Sequence, residues 1–125
     1  EIKNEILDAL EQAASHSTVP DTWAELDTSR LMECMDTTDG VMALFRHIQR
    51  TAVRCGMDEP GCFQVGGLSD SGITVACGIP TVCAMGVRGE GNHTPTEYAE
   101  VESLFERCIL AACAAGSLED GFTEQ

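Results

Sequence analysis

Apolar side chains recur at helical spacing in three stretches of this chain and run together or alternate in three shorter ones. Ile2, Ile6, Leu10 and Ala13 or Ala14 lie three and four apart, which predicts an amphipathic helix over residues 2–15. Val41, Leu44, Phe45, Ile48 and Ala52 repeat that spacing, with Thr37 or Thr38 as the cap, Asp39 in the first turn and Gly56 as the stop. Tyr98, Val101, Phe105, Cys108 and Ala112 put a third apolar stripe on one face of a last helix. Between them, Thr22 to Leu26 alternates like a half-exposed strand. Cys62 to Val65 reads as a short strand, and Thr81 to Met85 as a buried one. A short helix after Ser69 ends at Gly78 and Pro80. Strand and helix thus alternate from Thr37 to Ala115, which predicts an α/β layer with a largely parallel sheet.

The segments between are turn and connector. Residues 15–21, with Pro20, form a turn, and Trp23 is expected to pack on the helix before it. Residues 27–36 carry only a weak pattern and read as a connector. Residues 57–61 and the glycine-rich stretch 86–92 read as loops, and residues from Gly116 onward as an acidic tail. The first helix begins on the first residue, with no cap and no initiator methionine, which implies a chain cut from something longer.

Composition narrows the partners. Acidic side chains number 21 against 7 basic ones, a net charge of −14 spread along the chain. Phosphate backbones and anionic lipid would repel such a surface, so neither nucleic acid nor membrane is an expected partner. No apolar run approaches the length of a membrane span, and no signal peptide is visible. Seven cysteines, an odd number without a C-x-x-C pair, fit reduced, buried thiols and a cytoplasmic setting better than a disulfide framework. Arg46, Arg50 and Arg54 lie four apart on one helix face and read as a solvated row, and Asp58-Glu59 as solvent-facing acids in a Pro-Gly turn.

Candidate chemistry concentrates between Gly66 and Glu97. Thr94-Pro95-Thr96-Glu97 has the form of a capping box with proline at the first helical position. His93 would then stand one residue outside a helix, at its positive end, where a neutral ring able to bind a metal is favoured. At the other end, Gly66-Gly67 lets the backbone approach a ligand closely, and Ser69 can cap a short helix starting near Asp70. Amides at such a turn suit a carboxylate or phosphate. A tight strand-to-helix turn that needs glycine for backbone reasons alone would look the same, as would a structural histidine at position 93.

Taken in order, Gly66-Gly67-x-Ser69-Asp70, Gly78-Ile79-Pro80-Thr81, Gly86, His93-Thr94 with Glu97, and Ser103-Leu104 resemble the C-terminal end of the dinuclear zinc aminoacylases and carboxypeptidases. That family includes acetylornithine deacetylase, succinyl-diaminopimelate desuccinylase, glutamate carboxypeptidase and the tripeptide aminopeptidases. The resemblance is clearest from Thr37 to Cys113. It implies the end of an α+β lid, or dimerisation, domain over residues 1–27, a connector over 28–36, the C-terminal part of a zinc-peptidase-like α/β catalytic domain over 37–116, and a tail over 117–125. It also implies that His93 supplies one ligand to the second of two zinc ions. Gly66, Gly67 and Ser69 would line the substrate pocket, and Arg30, near the crossing between domains, would grip a substrate carboxylate. Asp70 is expected to fix the loop rather than bind metal.

The implied reaction is hydrolysis of an amide next to a free carboxylate in a peptide or N-acyl amino acid. In the family, zinc-bound water attacks and a glutamate serves as general base. This chain departs from the pattern: none of its three histidines is followed by x-Asp, and no Glu-Glu pair occurs. A catalytic zinc generally takes about three protein ligands, and the resemblance provides one. The expectation is therefore a piece of a metallohydrolase, inactive alone and completed by a missing N-terminal half. The alternative is a non-catalytic binding or self-association module, such as a homodimer. A thiol enzyme is a weaker third reading, since no cysteine adjoins a histidine.

Overall fold

The computed structural model describes residues 2–118, so the tail expected over 117–125 lies, from residue 119 on, outside the described residues. The chain divides into two compact units, residues 1–31 and 32–125.

In the first unit, the apolar stripe forms the expected helix α1 (Ile2–Ser15), and none of its residues is buried. Ser17 and Thr22 close the turn that follows: each hydroxyl donates to the Val19 carbonyl at 2.8 Å. Residues 22–26 form no strand, and Trp23 is 81% exposed rather than packed on the helix. Asp27 Oδ1 accepts the Ser29 amide at 2.8 Å. Hydrogen bonds from Ser29, first from its side chain, hold the Asp27 carboxyl below its usual value.

The second unit is built on two helices, α2 (Asp39–Arg54) and α4 (Val101–Gly116), with the short α3 (Ser71–Ala76) between them. Thr38 caps α2, its Oγ1 accepting the Val41 amide at 3.2 Å, and Gly56, at φ +76°, turns the chain out of the helix as expected. The core is small: Ile48 and Ala52 of α2 meet Leu110 and Ala114 of α4, with Leu44, Met57, Val82 and Met85 packed around them. His47 is buried beside it, and its Nε2 lies 3.0 Å from the Ala114 carbonyl and 3.2 Å from Ser117 Oγ. With Nε2 protonated, that N–H ties α2 to the end of α4.

The largely parallel α/β sheet does not form. Among the described residues the only ladder is a two-stranded antiparallel one, β1 (Gly89–Glu90) with β2 (Tyr98–Ala99), pairing Gly89 with Ala99 and Glu90 with Tyr98. The segments expected as strands, 62–65 and 81–85, form no ladder. The physical reason is local. A parallel strand needs a neighbour on its hydrogen-bonding edge, and neither segment has one. Phe63 is left 85% exposed, and Ala84 takes φ +60°, which breaks the second segment before its end. The second unit is therefore predominantly helical.

The last helix also differs. It begins at Val101 behind Glu100, not at Pro95, because the amides that would open a helix at Thr94 are used otherwise. Glu97 N–H donates to the Thr94 carbonyl at 3.2 Å in a turn, and residues 98–99 then pair with β1. The residues of α4 that pack on α2 are Leu110 and Ala114, not the stripe of Val101, Phe105 and Cys108, which stays exposed. A helix with apolar residues nearly all round offers two faces, and periodicity alone does not choose between them.

Candidate functional site

His93 sits at the tip of the loop that joins β1 to β2. Gly91 (φ +78°) and His93 (φ +64°) both adopt left-handed backbone, and Thr94 holds the turn: its N–H and Oγ1 donate to the Gly91 carbonyl at 3.0 and 2.6 Å. The ring is exposed and stands in a turn, not at a helix N-terminus, which corrects the sequence expectation. A histidine in left-handed backbone is uncommon enough to mark the position.

Gly66 and Gly67 are exposed, and a Cβ at either would meet nothing. Close approach to the fold is therefore not what requires glycine there. Ser69 has a clearer place. Its Oγ accepts the Ser71 amide at 3.1 Å, bonds the Ser71 hydroxyl, and lies 3.2 Å from Cys83 Sγ. Asp70 is the cap position of α3 by backbone and makes no side-chain cap. The hydroxyls of Ser69, first, and Ser71 hold the Cys83 thiol below its ordinary value, against a smaller opposing effect of burial. Cys34, Cys62, Cys77, Cys83, Cys108 and Cys113 are exposed and Cys55 is partly so, which overturns the expectation of buried thiols. The amphipathic patterns that carry them have their cysteine-bearing faces outward.

Arg30 is exposed and belongs to the first unit, whereas the other candidates belong to the second. The structure places a different arginine in a pocket. An open cleft of about 320 Å³ lies beside the core, lined by the apolar Leu110 and Met57 and by the charged Asp58, Glu59, Glu106, Arg88 and Arg107. Arg88 is neutralised in place: its Nε is 3.1 Å from Glu100 Oε2 and its Nη1 2.8 Å from Glu106 Oε2. Those carboxylates, Glu100 first, push the Arg88 guanidinium above its usual value. Arg107 differs, because its Nε is buried and has no hydrogen-bond partner. An N–H donor stripped of water and left unpaired is costly, on the order of 1–3 kcal/mol and more for a charged group.

Sequence reasoning missed Arg107, while Asp58 and Glu59 are exposed, as expected. The signal available was position: Arg107 is three residues before the core residue Leu110, which directs its stem along the packed face of α4. The arginine row of α2 behaves as expected at Arg50 and Arg54, which are exposed, Arg54 donating to Thr51 Oγ1 at 3.2 Å.

Among the described residues no three histidine, cysteine or acidic side chains come together as a metal site. His93 alone does not make a zinc centre, so the residues described here do not fit the two-zinc group by themselves. Among the same residues, no helix is long and apolar enough to cross a membrane. No family model matches the chain, and neither a curated protein nor a solved structure shows significant similarity to it.

Proposed function

We propose that this protein is the carboxylate-recognising component of a hydrolase that cleaves an amide next to a free carboxylate, in a peptide or N-acyl amino acid. The bond-breaking groups belong to another polypeptide segment. The observation that carries the reading is Arg107, which lines the cleft beside Leu110 and whose buried Nε has no hydrogen-bond partner. A guanidinium binds a carboxylate through paired N–H donors, and a site sheltered from water strengthens that bond. Asp58 and Glu59 on the same rim offer charge complementarity to an amine freed by hydrolysis. The ordered motifs from Gly66 to Ser103, His93 among them, support the hydrolase assignment by resemblance. Arg107 takes over the role expected of Arg30. No step is routed through zinc, whose ligands this chain does not assemble.

Titration of the isotope-labelled full chain with N-acetylalanine, and separately with N-acetylalanine amide, tests the reading by amide chemical shifts. Saturable shifts at Met57, Asp58 and Leu110 with the acid alone, weakened tenfold or more by Arg107→Met, are expected. Equal response to acid and amide, or indifference to Arg107→Met, would overturn it.

A second reading, a self-association module, rests on a separate observation: the exposed α4 face of Val101, Leu104, Phe105 and Ile109. Its test is the oligomeric state.

A further inference from the structure

One face of α2 gathers positive charge that its surroundings do not answer. Arg46, Arg50 and Arg54 lie four residues apart and line one open groove of about 460 Å³ together with Gln49, Val53 and Glu59. Three of the chain's seven basic side chains therefore converge there, beside a single acid, in a protein with 21 acidic ones. Hydrogen bonds fix two of the lining side chains. Gln49 Nε2 donates to the Pro60 carbonyl at 2.9 Å. Arg54 Nη2 donates to Thr51 Oγ1 at 3.2 Å and to Ser117 Oγ at 3.5 Å. Both acceptors of Arg54 are neutral, so the guanidinium is positioned while its charge stays uncompensated. Val53, 55% exposed, sets an apolar side chain in the same groove.

Helix physics accounts for only part of the row. The helix dipole favours a cation in the last turn, which covers Arg54, the final residue of α2. The effect fades beyond that turn, and Arg50 and Arg46 stand earlier in the helix. Like charges four apart on a helix destabilise it, so the row works against its own element. Nor is the charge taken up within the fold. Glu100 and Glu106 neutralise Arg88, whereas among the described residues no carboxylate forms an ion pair with Arg50 or Arg54.

We propose that this face of α2 is a docking surface for an acidic amphipathic helix of a partner protein, whose carboxylates recur every fourth residue. The step between successive arginines along the axis is about 6 Å, and carboxylates four apart on a second helix repeat it. Pairs at Arg50 and Arg54 give each guanidinium the carboxylate partner it lacks, and Arg46 extends the stripe. An apolar residue beside the acidic stripe covers Val53. A protein helix fits better than a nucleic acid because its charge is sparse and can be confined to one face. A phosphate backbone brings dense negative charge up to a molecule whose own net charge is −14. This docking does not depend on any ligand in the Arg107 cleft.

A capped, alanine-rich peptide with glutamate at every fourth position is the probe, titrated into the isotope-labelled full chain. Saturable amide shifts at Gln49, Arg50, Val53 and Arg54 are expected, with affinity falling about tenfold or more as salt rises from about 0.05 to about 0.5 M. The same peptide with glutamine for glutamate should leave those amides unmoved. Arg50→Glu combined with Arg54→Glu should abolish binding of the glutamate peptide and gain binding of a peptide with lysine at the same positions. That exchange of preference needs a folded α2, so it separates lost recognition from lost structure. An equal response to the glutamine peptide, shifts centred away from α2, or a double variant that refuses the lysine peptide would overturn the proposal. So would a DNA duplex that moves the same amides at equal or lower concentration, because the surface would then bind any polyanion. The glutamine and DNA comparisons use the unaltered chain and do not depend on how the variant folds.

Discussion

Single side chains in this protein carry consequences that the apolar pattern does not encode. His93 holds φ +64°, a conformation in which any Cβ crowds the backbone. Glycine at that position should be more stable than alanine by about 1 kcal/mol, since only glycine occupies left-handed backbone freely. Urea unfolding of His93→Gly against His93→Ala reads the difference directly. The reverse order of stabilities would mean that the turn relaxes out of the left-handed region when the imidazole is removed. At Cys83 the prediction concerns protonation. The Ser69 and Ser71 hydroxyls favour the thiolate, so iodoacetamide should alkylate Cys83 with a midpoint below the ordinary thiol value of 9.0. Ser69→Ala should move that midpoint upward. Linkage gives the same sign: a depressed folded value means a stabilisation present above the unfolded thiol's titration and lost as pH falls through the folded one. Peptide mapping after alkylation across pH 6–10 separates Cys83 from the other thiols, and an unchanged midpoint in Ser69→Ala would assign the shift elsewhere.

At the scale of elements, what was legible and what was not divide along the range of the interactions involved. Helix α2 could be read from sequence because everything that fixes it lies within it: the Thr38 cap, the apolar stripe and the Gly56 stop. The same holds for α1 and for the stop of α3 at Gly78, which takes φ +79°. The strands failed because alternation shows only that a segment suits a sheet, while a ladder needs a partner at the right distance. Phe63 and Val65 have the composition of a strand and no neighbour to pair with. The start of α4 failed for a related reason. Thr94-Pro95-Thr96-Glu97 is a sound local cap, but pairing of Tyr98-Ala99 with Gly89-Glu90 captured the chain first. Ser103 joins the two: its Oγ accepts the Arg88 amide at 2.9 Å and donates to the Glu100 carbonyl at 2.7 Å, and the residue is 0% exposed. Ser103→Ala would strip the part-buried Arg88 amide of its acceptor and should cost about 1 kcal/mol in chemical denaturation. Loss of amide-exchange protection at Arg88 and Glu100 should accompany it. A variant as stable as the parent would show that the ladder holds without α4. Of the candidate site, the exposed acids Asp58 and Glu59 could be read from their Pro-Gly turn. Arg107 comes to line the cleft only where α2 meets α4, which no single stretch of sequence displays.

At the scale of the whole molecule, two opposing surface properties set how the protein meets others. Apolar side chains stay exposed on every element type: Ile2 and Ile6 on α1, Phe63 and Val65 in the second unit's extended segment, Leu104 and Phe105 on α4. Such surface favours association, since each buried methylene contributes about 0.8 kcal/mol. The net charge of −14 opposes it, because copies of the chain repel one another at low salt. Screening separates the two effects. The Debye length falls from about 30 Å at 0.01 M salt to about 3 Å at 1 M, so repulsion fades over a range in which apolar attraction does not weaken. If the α4 face self-associates, light scattering should show mainly the 13.4 kDa chain at low salt and a growing dimer as sodium chloride is raised. Phe105→Glu, which places a charge in the centre of that face, should hold the protein monomeric throughout. Should the mass stay at the monomer value in 1 M salt, the α4 face is not a surface for a second copy. The exposed apolar side chains would then belong to a different partner, as the hydrolase reading requires. Should dimer form and persist in Phe105→Glu, association runs through another face, with Phe63 and Val65 the next pair to change.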